Sequence, residues 1–131
     1  MKYYISAATN NGTGKLAKVI QIAEGEEGKK YVMGASGPNT FDCSGLVYYC
    51  YKNSGFKIQR LTAQGYYNGS TKTSTPEIGD LVFFGDVSNI HHIGIYIGNN
   101  QMIDAPNSND VVKIQSYNWS DFAGFGKYNG K

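Results

Sequence analysis

The chain has 131 residues, which is enough for one domain that buries its own core. Its 40% hydrophobic and 17% charged residues are typical of a globular protein, and a net charge of +2 with scattered lysines does not predict a nucleic-acid-binding protein. No apolar run approaches membrane-spanning length, so the sequence predicts no membrane span.

An N-terminal arm or linker is predicted over residues 1–14, ahead of a single domain over residues 15–131. The arm ends in the run Asn-Asn-Gly-Thr-Gly, which is typical of linkers. It holds one lysine and a very short apolar stretch, too little for a secretory signal peptide. We therefore expect the protein either to be exported by another route or to be one domain of a longer chain.

Three helices are predicted in the first half of the domain. An apolar stripe at helical spacing indicates an amphipathic helix over residues 15–28. The stripe consists of Leu16, Val19, Ile20 and Ala23. A second helix is expected from about Cys43 to Asn53, with Asp42 as its N-cap and Gly55 ending it. Its core-facing residues would be Leu46, Val47 and Cys50. The segment RLTAQGYYNG predicts a short third helix.

After Pro76 the sequence pattern changes to strands. Short runs rich in β-branched and aromatic residues are separated by turn residues. The runs are DLVFF, HHIGIYIG, QMIDA, VVKIQS and FAGFGKY. Helices followed by an antiparallel sheet of about five strands indicate an α+β domain.

The two cysteines, Cys43 and Cys50, are expected to be free thiols. Two helical turns separate them by roughly 10 Å, whereas a disulfide joins Cα atoms about 4.4–6.8 Å apart. Cys50 is interpreted as a small buried apolar residue. Cys43 is either a packing residue at a helix start or a nucleophile, and the presence of a base elsewhere decides between them.

The position of Cys43 suits a nucleophile. Unpaired N–H groups and the positive end of the helix dipole favour a thiolate there. The main-chain N–H at the same end can stabilise an oxyanion. Gly45 is expected to leave the helix surface open beside the sulfur.

The only histidines, His91 and His92, are adjacent on a predicted strand. Neighbouring strand residues point to opposite faces, so they cannot share a metal ion, and no further ligand pattern accompanies them. The sequence therefore does not predict a metal site. If Cys43 is a nucleophile, His92 must lie on the helix side of the sheet, with Gly94 and Tyr96, while the isoleucines pack into the remaining core. His91 is interpreted as a solvated or capping residue.

Asp104 could orient His92, and the turn between their strands decides whether it does. A three-residue loop over residues 98–100 would pair Ile97 with Gln101. Asp104 would then lie diagonal to His92 on the same face, at a Cβ separation of roughly 7–8 Å or less. A two-residue loop would place Asp104 on the opposite face. Asp104 is therefore either the third member of a triad or a solvent-exposed strand acid.

Five motifs together resemble a known family. FDCSGLV, GDLVFF and HHIGIYIGNNQMIDAP resemble, in this order, the three signature blocks of NlpC/P60 cysteine peptidases. YVMGA resembles the family's aromatic-glycine block, and RLTAQ its Arg-Thr/Ser-x-x-Gln segment. The likeness extends from about Leu16 to the C-terminus. It implies a papain-like fold in which a helical part carries the cysteine and an antiparallel sheet carries the histidine.

The resemblance also implies roles for single residues. Cys43 corresponds to the nucleophile, His92 to the base, and Asp104 to the polar residue that orients the base, where many members have His, Asn or Gln. The resemblance implies that Tyr31 helps to hold substrate and that Asp42 and Ser44, as in some members, contact a free amine. Arg60 is the fourth predicted substrate-binding residue and is interpreted either as lining the groove or as an ordinary surface or packing residue.

Three departures from the family pattern concern substrate preference. Met33 stands where a tryptophan is usual, Ala35 where a glycine is usual, and Gln59 where a proline is usual.

The function implied by the resemblance is that of a cell-wall hydrolase. Such an enzyme cleaves peptides of bacterial peptidoglycan, commonly next to D-γ-glutamyl residues, through a thioester and without a cofactor. It would act outside the cell or in the wall, as part of a larger multidomain protein or as a phage or secreted lysin. The alternatives are an amidase that cuts between glycan and stem peptide, an acyltransferase, and a non-catalytic wall-binding or phage-tail module.

Overall fold

The computed structural model describes residues 14–128, which contain three helices and eight strands. The helices are α1 (Gly14–Gly25), α2 (Cys43–Lys52) and α3 (Ala63–Asn68). The strands are β1 (Lys30–Tyr31), β2 (Thr40–Phe41), β3 (Ser70–Thr73), β4 (Leu81–Asp86), β5 (Asn89–Gly98), β6 (Gln101–Asp104), β7 (Lys113–Ser116) and β8 (Phe122–Tyr128). Except for Gly14, which begins α1, the predicted arm lies outside the described residues.

Six strands form one antiparallel sheet in the order β3-β8-β4-β5-β6-β7. β1 and β2 form a separate parallel pair just before α2. The predicted α+β class is confirmed, but the sheet has one strand more than expected. The additional strand is β3, whose sequence STKT has no apolar residue and which pairs with β8 at the edge of the sheet.

The main core lies between the helices and one face of the sheet. The predicted stripe of α1 is buried throughout, as are the three predicted core residues of α2. They pack in one cluster with Ile93, Ile95 and Ile97 of β5. Burying several such side chains stabilises the fold by about 1.5–3 kcal/mol each relative to exposure.

Both long helices end close to their predicted positions. α1 ends at Gly25, three residues before the predicted boundary, and Gly28 follows with a positive φ of 88°. α2 ends at Lys52, and Asn53 is its C-cap. Within residues 14–128, no helix is both long and apolar enough to cross a membrane.

Cys50 lies completely buried in the middle of α2, as the sequence predicted. Burial, followed by the charge of Glu26, raises the pKa of its thiol well above the ordinary value. Both cysteines are free. Cys50 therefore remains a protonated, inert packing residue at neutral pH.

Candidate active site

Cys43 is the first residue of α2 and is partly exposed. Asp42 caps the helix, because its Oδ1 accepts a hydrogen bond from the N–H of Gly45 at 2.7 Å. Its Oδ2 accepts from the N–H of Gly34 at 2.8 Å, and its own N–H donates to the Ala35 carbonyl at 2.9 Å. The start of the helix is thus fixed to the preceding loop, which holds the Cys43 sulfur at a rigid helix end.

Gly45 has a different role from the one expected. A Cβ at this position would overlap the carbonyl oxygen of Ala35. The glycine therefore lets the preceding loop approach the helix closely, and the prediction that it leaves open surface beside the sulfur is wrong.

His92 and Asp104 form a buried pair. The Nε2 of His92 lies 2.7 Å from the Oδ2 of Asp104, and the two residues are 5% and 0% exposed. An ionised carboxylate can only accept, so Nε2 carries the proton and donates to Oδ2. Nδ1 is then the ring nitrogen that is left to act as a base.

The surroundings of His92 favour its protonated form. Burial by itself lowers the pKa, but the hydrogen bonds and charges of Asp104 and Cys43 more than offset it and raise the pKa of His92 to about 9. Because Cys43 contributes to this rise in pKa, its side chain lies close to the His92 ring. A thiolate beside an imidazolium is the reactive form of such a pair.

The hairpin that joins β5 to β6 places Asp104 on the expected face of the sheet, but its turn differs from the predicted one. Asn99 and Asn100 form a two-residue turn, both with φ near 60°, and Gly98 pairs with Gln101. The predicted pairing of Ile97 with Gln101 is therefore wrong. A register shift between Tyr96 and Gly98 leaves Ile97 as one extra residue in β5. This bulge offsets the shorter turn, so the residues of β6 face the same side as the three-residue loop would have given. Asp104 consequently lies on the same face as His92.

The face of the sheet that carries His92 is also different from the expected one. The isoleucines of β5, not His92, face the helices. His92 pairs with Phe84 and shares its face with a second cluster that contains Met102. The apolar isoleucines bury more hydrophobic surface against the helices than a histidine would. A second register shift, between Phe84 and Gly85, lies beside His92, where bulges commonly redirect side chains near active sites.

Two neighbours of the pair have no signal in the sequence patterns. Gln115 of β7 donates from Nε2 to the Oδ1 of Asp104 at 2.9 Å. Trp119 stacks on the His92 ring, with centroids 5.5 Å apart and an interplanar angle of 18°. Gln115 could have been found only from the register of β6 and β7. Trp119 lies between β7 and β8, where no periodicity applies.

The four residues expected to bind substrate surround the start of α2. Arg60 donates to the Oδ1 of Asp42 at 2.8 Å and to the Oγ of Ser44 at 2.8 Å. Its Nε donates to the Oγ of Ser36 at 3.1 Å. The pKa of Tyr31 is raised, first by burial and then by the charges of Cys43 and Asp42, so this side chain lies near both. All four are therefore neighbours of the nucleophile position.

His91 is separate from this cluster. Its side chain is 56% exposed and forms an ion pair with Asp121, with Nε2 and Oδ2 2.8 Å apart. This agrees with its interpretation as a solvated residue.

Comparison with known proteins agrees with the family resemblance and with the fold. The model of the NlpC/P60 family matches residues 28–124. A probable endopeptidase p60 of Listeria seeligeri is 42% identical over 113 residues, which cover 83% of this chain and 21% of that protein. The bifunctional muramidase/DL-endopeptidase CwlT of Bacillus subtilis is 41% identical over 79% of this chain and 33% of its own length.

The fold matches a solved domain over nearly all of that domain. The crystal structure of the NlpC/p60 domain of the peptidoglycan hydrolase SagA has a TM-score of 0.73 and 32% identity, covering 86% of this chain and 97% of the solved one. The chain spans only a fifth to a third of the two longer relatives, 21% and 33% of their lengths.

Proposed function

Because this chain belongs to the NlpC/P60 family, we propose that it is a cysteine endopeptidase that cleaves the stem peptides of bacterial peptidoglycan next to D-γ-glutamyl residues. The observation that carries the proposal is the buried His92–Asp104 pair beside Cys43 at the start of α2. A nucleophile, a base and a group that orients the base are the three parts that covalent acyl transfer requires. The names of the relatives support the substrate class.

The first half of the reaction forms a thioester. The Nδ1 of His92 takes the proton of Cys43, and the thiolate attacks the amide carbonyl carbon to form a C–S bond. The carbonyl electrons move to oxygen, and the main-chain N–H of Cys43, which has no partner within the helix at this first position, donates to the oxyanion. The protonated His92 then gives its proton to the amine nitrogen as the C–N bond breaks.

The second half restores the enzyme. His92, now neutral, removes a proton from a water molecule that attacks the thioester carbon. Collapse of the second oxyanion breaks the C–S bond, releases the carboxylic acid and returns the proton to the sulfur. Asp104 stays ionised throughout, keeps the proton of His92 on Nε2 and stabilises the imidazolium.

Substrate binding is assigned to the side chains around the start of α2. Tyr31, kept protonated by its raised pKa, can donate a hydrogen bond beside Cys43. Arg60 joins Asp42 and Ser44 into one network, so a substrate amine at these two residues would share the carboxylate with a guanidinium. We propose that this network forms the wall of the cleft that receives the stem peptide.

The place of action follows from the proposed substrate. An enzyme of this specificity would work in the cell wall or outside the cell, where its substrate lies. That the domain is part of a larger multidomain protein, or of a phage or secreted lysin, stays a prediction.

Digestion of purified muropeptides, followed by mass spectrometry, tests the proposed function. The wild-type chain should release fragments cut within the stem peptide after a D-γ-glutamyl residue. Cys43→Ala should be folded and inactive, while His91→Ala should keep most of the activity, because its side chain lies away from the pair. Activity of Cys43→Ala near the wild-type level would remove Cys43 as the nucleophile.

Different products would reassign the reaction. Separation of intact stem peptides from the glycan would indicate the amidase, and transfer products without net hydrolysis would indicate the acyltransferase. Binding to peptidoglycan with no product of either kind would indicate the non-catalytic module.

A further inference from the structure

We infer that Gln115 is a positioning residue of the active site, which holds the Asp104 carboxylate in the orientation that presents Oδ2 to His92. The inference deepens the proposed function and rests on it for the catalytic meaning of the pair. The side chain of Gln115 donates to Asp104, and its influence on the reaction would pass through that residue.

The geometry divides the two carboxylate oxygens between two partners. Oδ2 faces His92 at 2.7 Å, and Oδ1 accepts from the Nε2 of Gln115 at 2.9 Å. Gln115 pairs directly with Met102 in the register of β6 and β7, so it is diagonal to Asp104 on the same face. This is a reach that a glutamine side chain covers and a shorter polar side chain does not.

Burial makes this second hydrogen bond important. Asp104 has no exposed surface, so water does not solvate Oδ1 from the surface. A buried charge is costly unless its oxygens are paired, and hydrogen bonds to charged groups are stronger than those between neutral groups. The amide of Gln115 therefore gives the buried Oδ1 a hydrogen-bond partner and limits rotation of the carboxylate.

The charge of Asp104 acts on His92 and raises the pKa of its imidazole. Within residues 14–128, the charges that raise the pKa of His92 are those of Asp104 and Cys43. Lys113 lies opposite Asp104 in the register of β7, but its ammonium pairs with Asp110 at 2.8 Å. Loss of the Gln115 donor would leave the buried Oδ1 of Asp104 without this hydrogen bond and would let the carboxylate turn away from His92, so the imidazolium would lose part of its support.

The test compares Gln115→Met, which keeps the length of the side chain and removes the donor, with Ser116→Ala as a matched control on the same strand. Ser116 is exposed, and its hydroxyl accepts from the N–H of Asn118. The titration of both histidines is followed by NMR, and the alkylation of Cys43 by iodoacetamide is measured against pH. Hydrolysis of muropeptides gives kcat and KM.

For Gln115→Met we expect the midpoint of the His92 titration to fall by about one pH unit, with that of His91 unchanged. The rate of Cys43 alkylation at pH 7 should fall several-fold, and kcat roughly tenfold with little change in KM. Ser116→Ala should match the wild type in every measurement.

A role in packing alone would lower the melting temperature and leave the His92 midpoint and kcat unchanged, which would overturn the inference. A rise in KM at constant kcat would also overturn it, because it would mark Gln115 as a substrate contact. If the wild type cleaves no muropeptide but Gln115→Met still shifts the His92 midpoint, the positioning role stands and the proposed function fails.

Discussion

At the scale of single residues, the site depends on how one carboxylate is partnered. Asp104 is fully buried, and its two oxygens contact two different side chains, His92 and Gln115. A group in this position cannot reorient without losing one of two charge-assisted hydrogen bonds. Substitution of Asp104 therefore tests the alignment of the base without touching the nucleophile.

Replacement of Asp104 by alanine should lower kcat by roughly 10–10³, less than the loss of about 10⁴ known for a serine triad, because a cysteine thiolate is a competent nucleophile without a strong base. Asp104→Asn should retain more activity, since its amide oxygen can accept from His92 while Gln115 rotates its own amide to accept from the Asn NH₂. Steady-state kinetics on muropeptides measures both. Wild-type kcat in Asp104→Ala would contradict the triad.

At the scale of elements, the start of α2 and the β5–β6 hairpin place the reacting groups. The first depends on the close contact of Gly45 with the Ala35 carbonyl, and the second on the turn at Asn99 and Asn100 together with the bulge at Ile97 that precedes it. Neither structural feature takes part in the reaction, yet the first fixes the position of Cys43 and the second that of Asp104.

Gly45→Ala should destabilise the fold by about 1–3 kcal/mol, the usual cost of forcing an extra carbon into a packed site. The loop or the helix start must move, so activity should fall as well. Urea unfolding measures the change in the free energy of unfolding. Gly25→Ala, at the end of α1 with open space around the position of a Cβ, is the control and should be nearly neutral.

Asn99→Val should cost about 1–2 kcal/mol, because its φ of 59° is unfavourable for a β-branched side chain. Asn99→Gly should remain within a few tenths of a kcal/mol of the wild type, since glycine adopts a positive φ readily. Thermal unfolding of the two variants gives the comparison, and equal stabilities would contradict the assigned turn.

The sequence patterns predicted these elements far better than the way they are joined. The stripe of α1, the cap of α2 and the runs of β4 to β8 follow from local periodicity, and all were predicted. The face of Asp104 was predicted correctly, but from a loop that the structure does not contain. The bulge at Ile97 depends on how β5 pairs with β6, and the sequence of one strand does not encode that pairing. The face of His92 and the strand β3 were misjudged for a related reason: each depends on what packs or pairs opposite, which only the tertiary structure specifies.

At the scale of the whole molecule, the His92 pair links stability to pH. The pKa of His92 is about 9 in the folded protein, against an ordinary value of 6.5. A raised pKa stabilises the fold fully below pH 6.5, and this contribution is lost as the pH rises towards 9. The loss amounts to roughly 3 kcal/mol at most, from the size of the shift.

Urea unfolding at a series of pH values between 6 and 9 should therefore show a falling free energy of unfolding. His92→Gln should flatten this dependence, and His91→Ala, which alters an exposed ion pair, should retain it. Cys43→Ser should reduce the slope in part, because the sulfur contributes to the raised pKa. A wild-type profile that is flat over this range would contradict the assigned charge state.

The stacking of Trp119 on His92 gives the domain a built-in optical reporter. Trp119 is the only tryptophan in the sequence, so the whole indole fluorescence of the chain arises within 5.5 Å of the imidazole, measured between ring centroids. An imidazolium accepts an electron from excited indole and quenches its emission, whereas the neutral ring does so weakly. The emission should therefore brighten as His92 loses its proton and change again when a peptide or an alkylating group occupies Cys43, so that ionisation and occupancy can be followed in unlabelled protein.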